Sequence, residues 1–230
     1  MGREITVGNP PIPVQVKQSR RARRLSLRVS RLDGKVSLTV PSFSSDRDVS
    51  GFLAEKESWL RKHLTDIAPP TPLHIGGTVL LGGIDVPIVG GDVKRAALRD
   101  GAIVVPHDPA TVAPRIKAIL KLKARDALAA MSDHYASVLG RSYTRISLRD
   151  TRSRWGSCSS EGVLMYSWRL IMAPDDVLNY VVAHEVCHLA EMNHSAAFWG
   201  HVAELMPDYQ VHRRWLRENG NELHRYDFGN

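Results

Sequence analysis

The chain has 230 residues, of which 43% are hydrophobic and 24% charged, enough for one large or two small domains with a proper core. Its apolar runs are short and interrupted by Gly, Pro or charge, which excludes a helical membrane span. Two cysteines, Cys158 and Cys187, are too few for a disulfide framework. The opening MGREITVGNPPIPV has no basic stretch followed by an apolar one, so no secretory signal is expected. The expected location is the cytosol, with both thiols reduced.

The formal net charge is +7, and much of the excess comes early. Arg3, Lys17, Arg20, Arg21, Arg23, Arg24, Arg28 and Arg31 face only Glu4 as an acid before Asp33. Such a region can contact nucleic acid or phosphates, or serve as a solvated edge that discourages strand aggregation. Within it PVQVKQ, LSLRVS and KVSLTV read as short strands, with Asp33-Gly34 as a tight-turn signal between the last two. The segment 52–64, FLAEKESWLRKHL, has helical spacing, with Ser45 or Asp46 as the N-cap, and APPTP breaks it. Four more strand-like pieces, TVLLGG, DVPIVGG, VKRAALR and AIVVP, are separated by glycine doublets that read as turns. The doublets lack the context of a phosphate loop.

Composition shifts near 106–109. A long helix is expected from about Thr111 to Leu139, with Gly140 after its end. TRISLRD then reads as a strand, TRSRWGSCSSEG as a tight turn, and VLMYSW as a second strand. Pro174-Asp175-Asp176 opens a helix that carries His184-Glu185-Val186-Cys187-His188, with an Asp as N-cap. Ser195 begins another helix that Pro207 ends, and a last one stops at Gly220. The expected architecture is α+β. Residues 1–108 form an N-terminal, antiparallel, β-rich basic module with one helix, and 109–230 a second domain whose HExxH helix packs under a short sheet.

At about 100° per residue, His184 and His188 share one helix face one turn apart, so both imidazoles can reach one ion. Glu185 flanks that face, which suits a base acting on water. For the third ligand, Glu191 shares the face but lies one turn too far along a continuing helix. His194 can return to the ion if the chain reverses at Asn193, a residue tolerant of the left-handed conformation. His194 is therefore the expected third ligand, with His201 as the next alternative and Glu191 as a supporting acid. Three histidines with an open fourth position make a catalytic Zn2+ site, with Glu185 moving the proton. Cys187 is read as a buried thiol. Tyr180, one turn before His184, could stabilise an oxyanion or simply pack. Arg149, Arg152, Arg154 and Arg169 could bind a carboxylate or phosphate, or pair with Asp150, Glu161 or Asp175 and hold their loop.

Together SRWGSCSSEG, SWRLIMAP, YVVAHEVCHLAEMNHSAAFW and PDY…RRWL resemble the YgjP-like metallopeptidase family, related to the SprT-like and WLM zincins. LRVSRLDGKVSLTVP and SGFLAEKESWLRKHL resemble its N-terminal portion, so the likeness spans nearly the whole chain. It implies that 109–230 is a small zincin-like metallopeptidase domain, with zinc on His184, His188 and His194 and a base at Glu185. One departure is Ser167, where the family usually has Asn before the Trp. The function expected is zinc-dependent peptide hydrolysis, with an extended substrate adding along the VLMYSW strand. The alternatives are a metal-dependent nucleoside-triphosphate pyrophosphatase with phosphates held by Arg152 and Arg154, an activity the resemblance also carries, and a nucleic-acid-binding module with structural zinc.

Overall fold

The computed structural model describes residues 3–30, 34–65 and 70–229. The chain forms two compact units that divide at Pro70/Thr71.

The first unit is a four-stranded sheet with one helix. Strands β1 (Arg3–Val7), β2 (Ile12–Ser19), β3 (Ser26–Val29) and β4 (Val36–Pro41) lie in the order β1-β2-β4-β3. The β2–β4 pair is parallel and the outer two pairs are antiparallel. Alternation along β2 and β4 turns Ile12, Val14, Val36, Leu38 and Val40 inward, where Val49, Leu53 and Leu60 of helix α1 (Asp46–Thr65) complete the core. Each such side chain, fully buried, stabilises by about 1.5–3 kcal/mol. Ser45 is the cap: its amide and hydroxyl both bond Asp48 Oδ2, at 2.9 and 2.7 Å, and its Oγ accepts from the Asp48 amide. Gly34 donates to Ser30 O; Asp33, with which it forms the expected turn signal, and Arg31 lie outside the described residues. Lys17, Arg20, Arg21, Arg23, Arg24 and Arg28 are all exposed.

The second unit begins with β5 (Thr71–Pro72) and a four-stranded sheet of β6 (Thr78–Leu81), β7 (Ile84–Gly90), β8 (Ala97–Arg99) and β9 (Ala102–Val105), ordered β6-β7-β9-β8. Helix α2 (Val112–Val138) follows, and Arg141 closes its end by donating to Ala136 O. Next come β10 (Arg145–Arg149), β11 (Gly156–Cys158) and β12 (Val163–Ser167), in the order β10-β12-β11. Helices α3 (Asp175–Cys187), α4 (Ala196–Leu205) and α5 (Tyr209–Asn219) complete the unit, and β13 (Tyr226–Asp227) pairs with β5.

One core joins these parts. Val79, Val86, Ile88, Ile103 and Val105 of the sheet are buried together with Ile116, Leu120 and Leu128 of α2 and Val182 and Val186 of α3. The strands of 78–105 therefore share their hydrophobic interior with the helices that follow, although composition placed the boundary at 108. The composition change marks where strand gives way to helix, while burial assigns both sides to one unit.

The segment that carries the histidines is anchored from several sides. Helix α3 contacts α2, α4, α5 and β11, and nine of its thirteen residues are buried. Its N-cap is Pro174 and not an Asp; Asp175 and Asp176 occupy the first turn, where the helix dipole favours acids. The tip of the β6–β7 hairpin fixes this end, with Gly82 and Gly83 donating to Ile171 O and Met172 O at 2.9 and 3.0 Å. Gly83 has φ +80°, and a Cβ there would stand 2.8 Å from Pro174 Cγ, so the docking requires glycine. At the departure from the family pattern, Ser167 Oγ and Trp168 Nε1 are both buried without a partner among the described residues.

Candidate active site

The site is assembled by the end of one helix and the start of the next. His184 and Glu185 lie in the last turn of α3, and His188 is its C-cap. The helix therefore stops about five residues before the reversal expected at Asn193. Leu189 donates to Val186 O, and Ala190 and Glu191 both donate to Cys187 O, so the chain curls tightly straight after the second histidine. Among the described non-glycine residues only Asp100 has a positive φ, so Asn193 turns without the left-handed conformation. Ser195 then caps α4, its Oγ accepting from Phe198 N at 3.2 Å. His194, immediately before that cap, is carried back over α3.

The outcome is a cluster. Ring nitrogens of His184, His188 and His194 all lie within 4.8 Å of one another, and His194 Nε2 is 3.1 Å from His184 Nε2. Nitrogens that share one ion at 2.0–2.1 Å stand about 3.3 Å apart in tetrahedral geometry, so the three imidazoles fit a metal. The His188 Nδ1 lies 3.0 Å from Glu191 O. That carbonyl can only accept, so Nδ1 carries the proton and Nε2 keeps its lone pair. Glu191 thus contributes its backbone and not its carboxylate. Burial, the other two histidines and Arg213 push His184 down to about 3. Burial also lowers His188, with the Glu191 bond opposing it and the His194 charge adding to it. Both rings are held in the neutral, ligating form.

Phe198 packs against this cluster from α4. Its ring is fully buried and lies 5.0, 4.5 and 4.8 Å from the rings of His184, His188 and His194. Trp199 stacks on His194 at 5.7 Å and on Tyr209 at 5.3 Å. These aromatic walls went unread in the sequence, where AAFW showed only helical spacing after Ser195.

Glu185 lies beside the cluster, 6% exposed. Burial pushes its carboxyl up to about 8, with the Arg154 charge offsetting part of the rise. A cavity of about 270 Å3 opens onto it, lined by Gly156, Ser157, Cys158, Met192 and the three histidines. Gly156 packs directly on this side chain: a Cβ there would fall 2.5 Å from Glu185 Cγ and Oε1.

The YgjP-like metallopeptidase domain is matched over residues 23–219, most of the chain. The chain belongs to the YgjP-like metallopeptidase family. Among curated proteins none matches it. Among solved structures, the metallopeptidase zymogen of Pyrococcus abyssi abylysin aligns with a TM-score of 0.37 and 18% identity, over 40% of this chain and 93% of its own. As a YgjP-like metallopeptidase the protein is a metal-dependent peptidase, and His184, His188 and His194 are its candidate ligands.

The remaining residues read from the sequence fall in different places around this YgjP-like centre. His201 lies on α4, 3.6 Å from Glu204, outside the histidine cluster. Cys187 is fully buried, and burial raises its thiol to about 12. Tyr180 is buried behind His184, with ring centroids 5.9 Å apart, and stacks on Tyr209 at 6.4 Å. It is absent from the lining of the cavity that holds Glu185. Arg169 pairs with Asp150 through two bonds of 2.7 and 3.2 Å, so it holds its loop. Arg152 and Arg154 line a second cavity next to the first.

Two strand assignments change. VLMYSW holds the centre of its sheet, not the edge: β12 lies between β10 and β11. The stretch read as a tight turn at Trp155–Cys158 includes the edge strand β11. Ser167 donates to Trp155 O and Ser159 to Val163 O. Antiparallel alternation then points the N–H and C=O groups of Gly156 and Cys158 away from β12, toward the open edge of the sheet.

Proposed function

We propose that the protein is a zinc peptidase in which His184, His188 and His194 hold the ion, Glu185 is the general base, and the outer edge of β11 receives an extended polypeptide. The observation that carries this reading is the convergence of three imidazoles within 4.8 Å beside a buried carboxyl, in one cavity with a free strand edge. Three imidazole nitrogen donors in a compact set suit zinc and leave room for a fourth position.

When bound, zinc supplies Lewis acidity that polarises a scissile carbonyl and makes an attacking water more acidic. The rest is done by the chain. Gly156 and Cys158 pair with the substrate backbone as an added strand and fix its register. Absence of a side chain at Gly156 lets Glu185 itself pack directly against the strand that receives the substrate. Glu185 takes the proton of the water and delivers it to the departing amine. Phe198 excludes bulk water from behind the histidines, which keeps the polar interactions of the site strong.

A second reading is cleavage of a nucleoside triphosphate, favoured by Arg152 and Arg154 in the neighbouring cavity. Against it, the histidine trio is the only metal-ligating group among the described residues, whereas triphosphate cleavage uses carboxylate-held magnesium. The two are separated by assaying the zinc-loaded protein on unfolded polypeptides and on nucleoside triphosphates, each with and without chelator. Chelator-sensitive cleavage of polypeptide alone is expected. Hydrolysis of the triphosphate alone would overturn the peptidase reading.

A further inference from the structure

The cavity beside the catalytic one is a built feature with no role in the peptide hydrolysis proposed above. It has a volume of about 220 Å3, and its lining includes Arg152, Arg154, Trp155, Arg217, Asn221 and His224 but no acidic residue. Its walls are the loop 151–155 on one side and, on the other, Leu216 and Arg217 of α5 with the turn 220–224 that follows. A single residue ties them together: Arg169, 8% exposed, grips both oxygens of Asp150 with one part of its guanidinium and donates to Leu223 O at 3.1 Å with another. Thr151 Oγ1 donates to Arg154 O at 2.7 Å and closes the loop. Trp155 is held against Gly220, where a Cβ would lie 3.1 Å from its ring, and against His224 at 5.1 Å.

The charge on the lining is positive. Arg154 and Arg217 have exposed guanidinium groups with no ion pair among the described residues. Asp150, whose charge reaches His224, is already held by Arg169. Arginine in such a setting binds planar anions through paired N–H groups. Leu216, Gly220 and Trp155 add apolar wall, which suits an anion carried on methylene groups. No carboxylate is present to hold the magnesium that accompanies a triphosphate. Trp155 in this lining directly precedes Gly156 in the lining of the first cavity, so the two open on consecutive residues of the chain.

We propose that this cavity is a carboxylate-binding subsite that selects peptide substrates by an acidic side chain or a free C-terminus near the scissile bond. The proposal rests on the peptidase reading above and deepens it. The subsite lies beyond the N-terminal end of β11, and Arg154 and Arg217 grip the carboxylate while Trp155 covers its methylene groups.

The test uses the zinc-loaded full chain and matched peptides that differ as Glu against Gln at each position, or as free C-terminus against amide. Wild-type protein should show kcat/KM higher by roughly tenfold for the acid at one position or at the terminus. The position of the preference separates side chain from terminus. R217Q should bring that ratio toward one, and N221D, which adds an opposing charge without removing an arginine, should do the same. Calorimetry with E185Q reads binding without turnover and should show the same preference. Equal kcat/KM for acid and neutral peptides at every position, with cleavage intact, would overturn the subsite while leaving the peptidase reading standing. Failure to cleave any peptide, with R217Q impairing triphosphate hydrolysis instead, would overturn both.

Discussion

Gly156 and Glu185 are in contact: no Cβ fits at Gly156 without coming within 2.5 Å of the Glu185 carboxyl. The edge strand and the base are thus positioned by one another. Substituting Gly156→Ala pushes the carboxyl or the strand aside while leaving all three histidines in place. The expected result is a loss of kcat of about 10²-fold with zinc stoichiometry unchanged, read from steady-state kinetics and metal analysis of the same preparation. Unchanged kcat would separate the strand from the base.

The third ligand can be tested by contrast. His194→Ala removes a ring nitrogen that lies 3.1 Å from His184 Nε2, and zinc affinity measured against a competing chelator should fall by more than about 100-fold. Glu191→Gln should leave the affinity near wild type, because Glu191 meets His188 through its backbone carbonyl. An affinity that follows Glu191 and not His194 would reverse the assignment.

Acid sensitivity is expected from the wall of the second cavity. Burial, with the charges of Arg169 and Arg152, pushes His224 from the usual 6.5 down to about 4, Asp150 opposing them. Between those values the unfolded chain binds a proton that the folded chain refuses, so folding stability falls as pH drops from 6.5 to about 4 and is unaffected by this group above 6.5. Denaturant midpoints taken in chelator should fall more steeply over that window in wild type than in His224→Gln. Equal slopes would show that His224 is not held neutral by the fold.

Legibility in the sequence followed the range of the interactions. His184, Glu185 and His188 share a helix whose period alone sets their faces, so local spacing was sufficient. His194 was reached through the Ser195 cap, although the chain turns earlier than the sequence suggested because the carbonyl of Glu191 closes onto His188. Strand β11 was hidden: three residues, Gly-Ser-Cys, show no alternation, and only pairing with β12 makes them a strand. Its edge position could not be read from residue types, because β12 is as apolar as an edge or a centre could be. The unit boundary failed for a related reason, since Val79, Val86 and Ile103 find their partners in α2 and α3 only in three dimensions.

The central claim is that Glu185 moves the proton while three histidines hold the ion. Its most direct measurement is Glu185→Gln, with zinc content and peptide hydrolysis determined on one sample. The isosteric amide keeps the buried volume and cannot accept the proton, so zinc should remain stoichiometric while kcat falls by about 10²–10⁴-fold. Full zinc with undiminished hydrolysis would contradict the account.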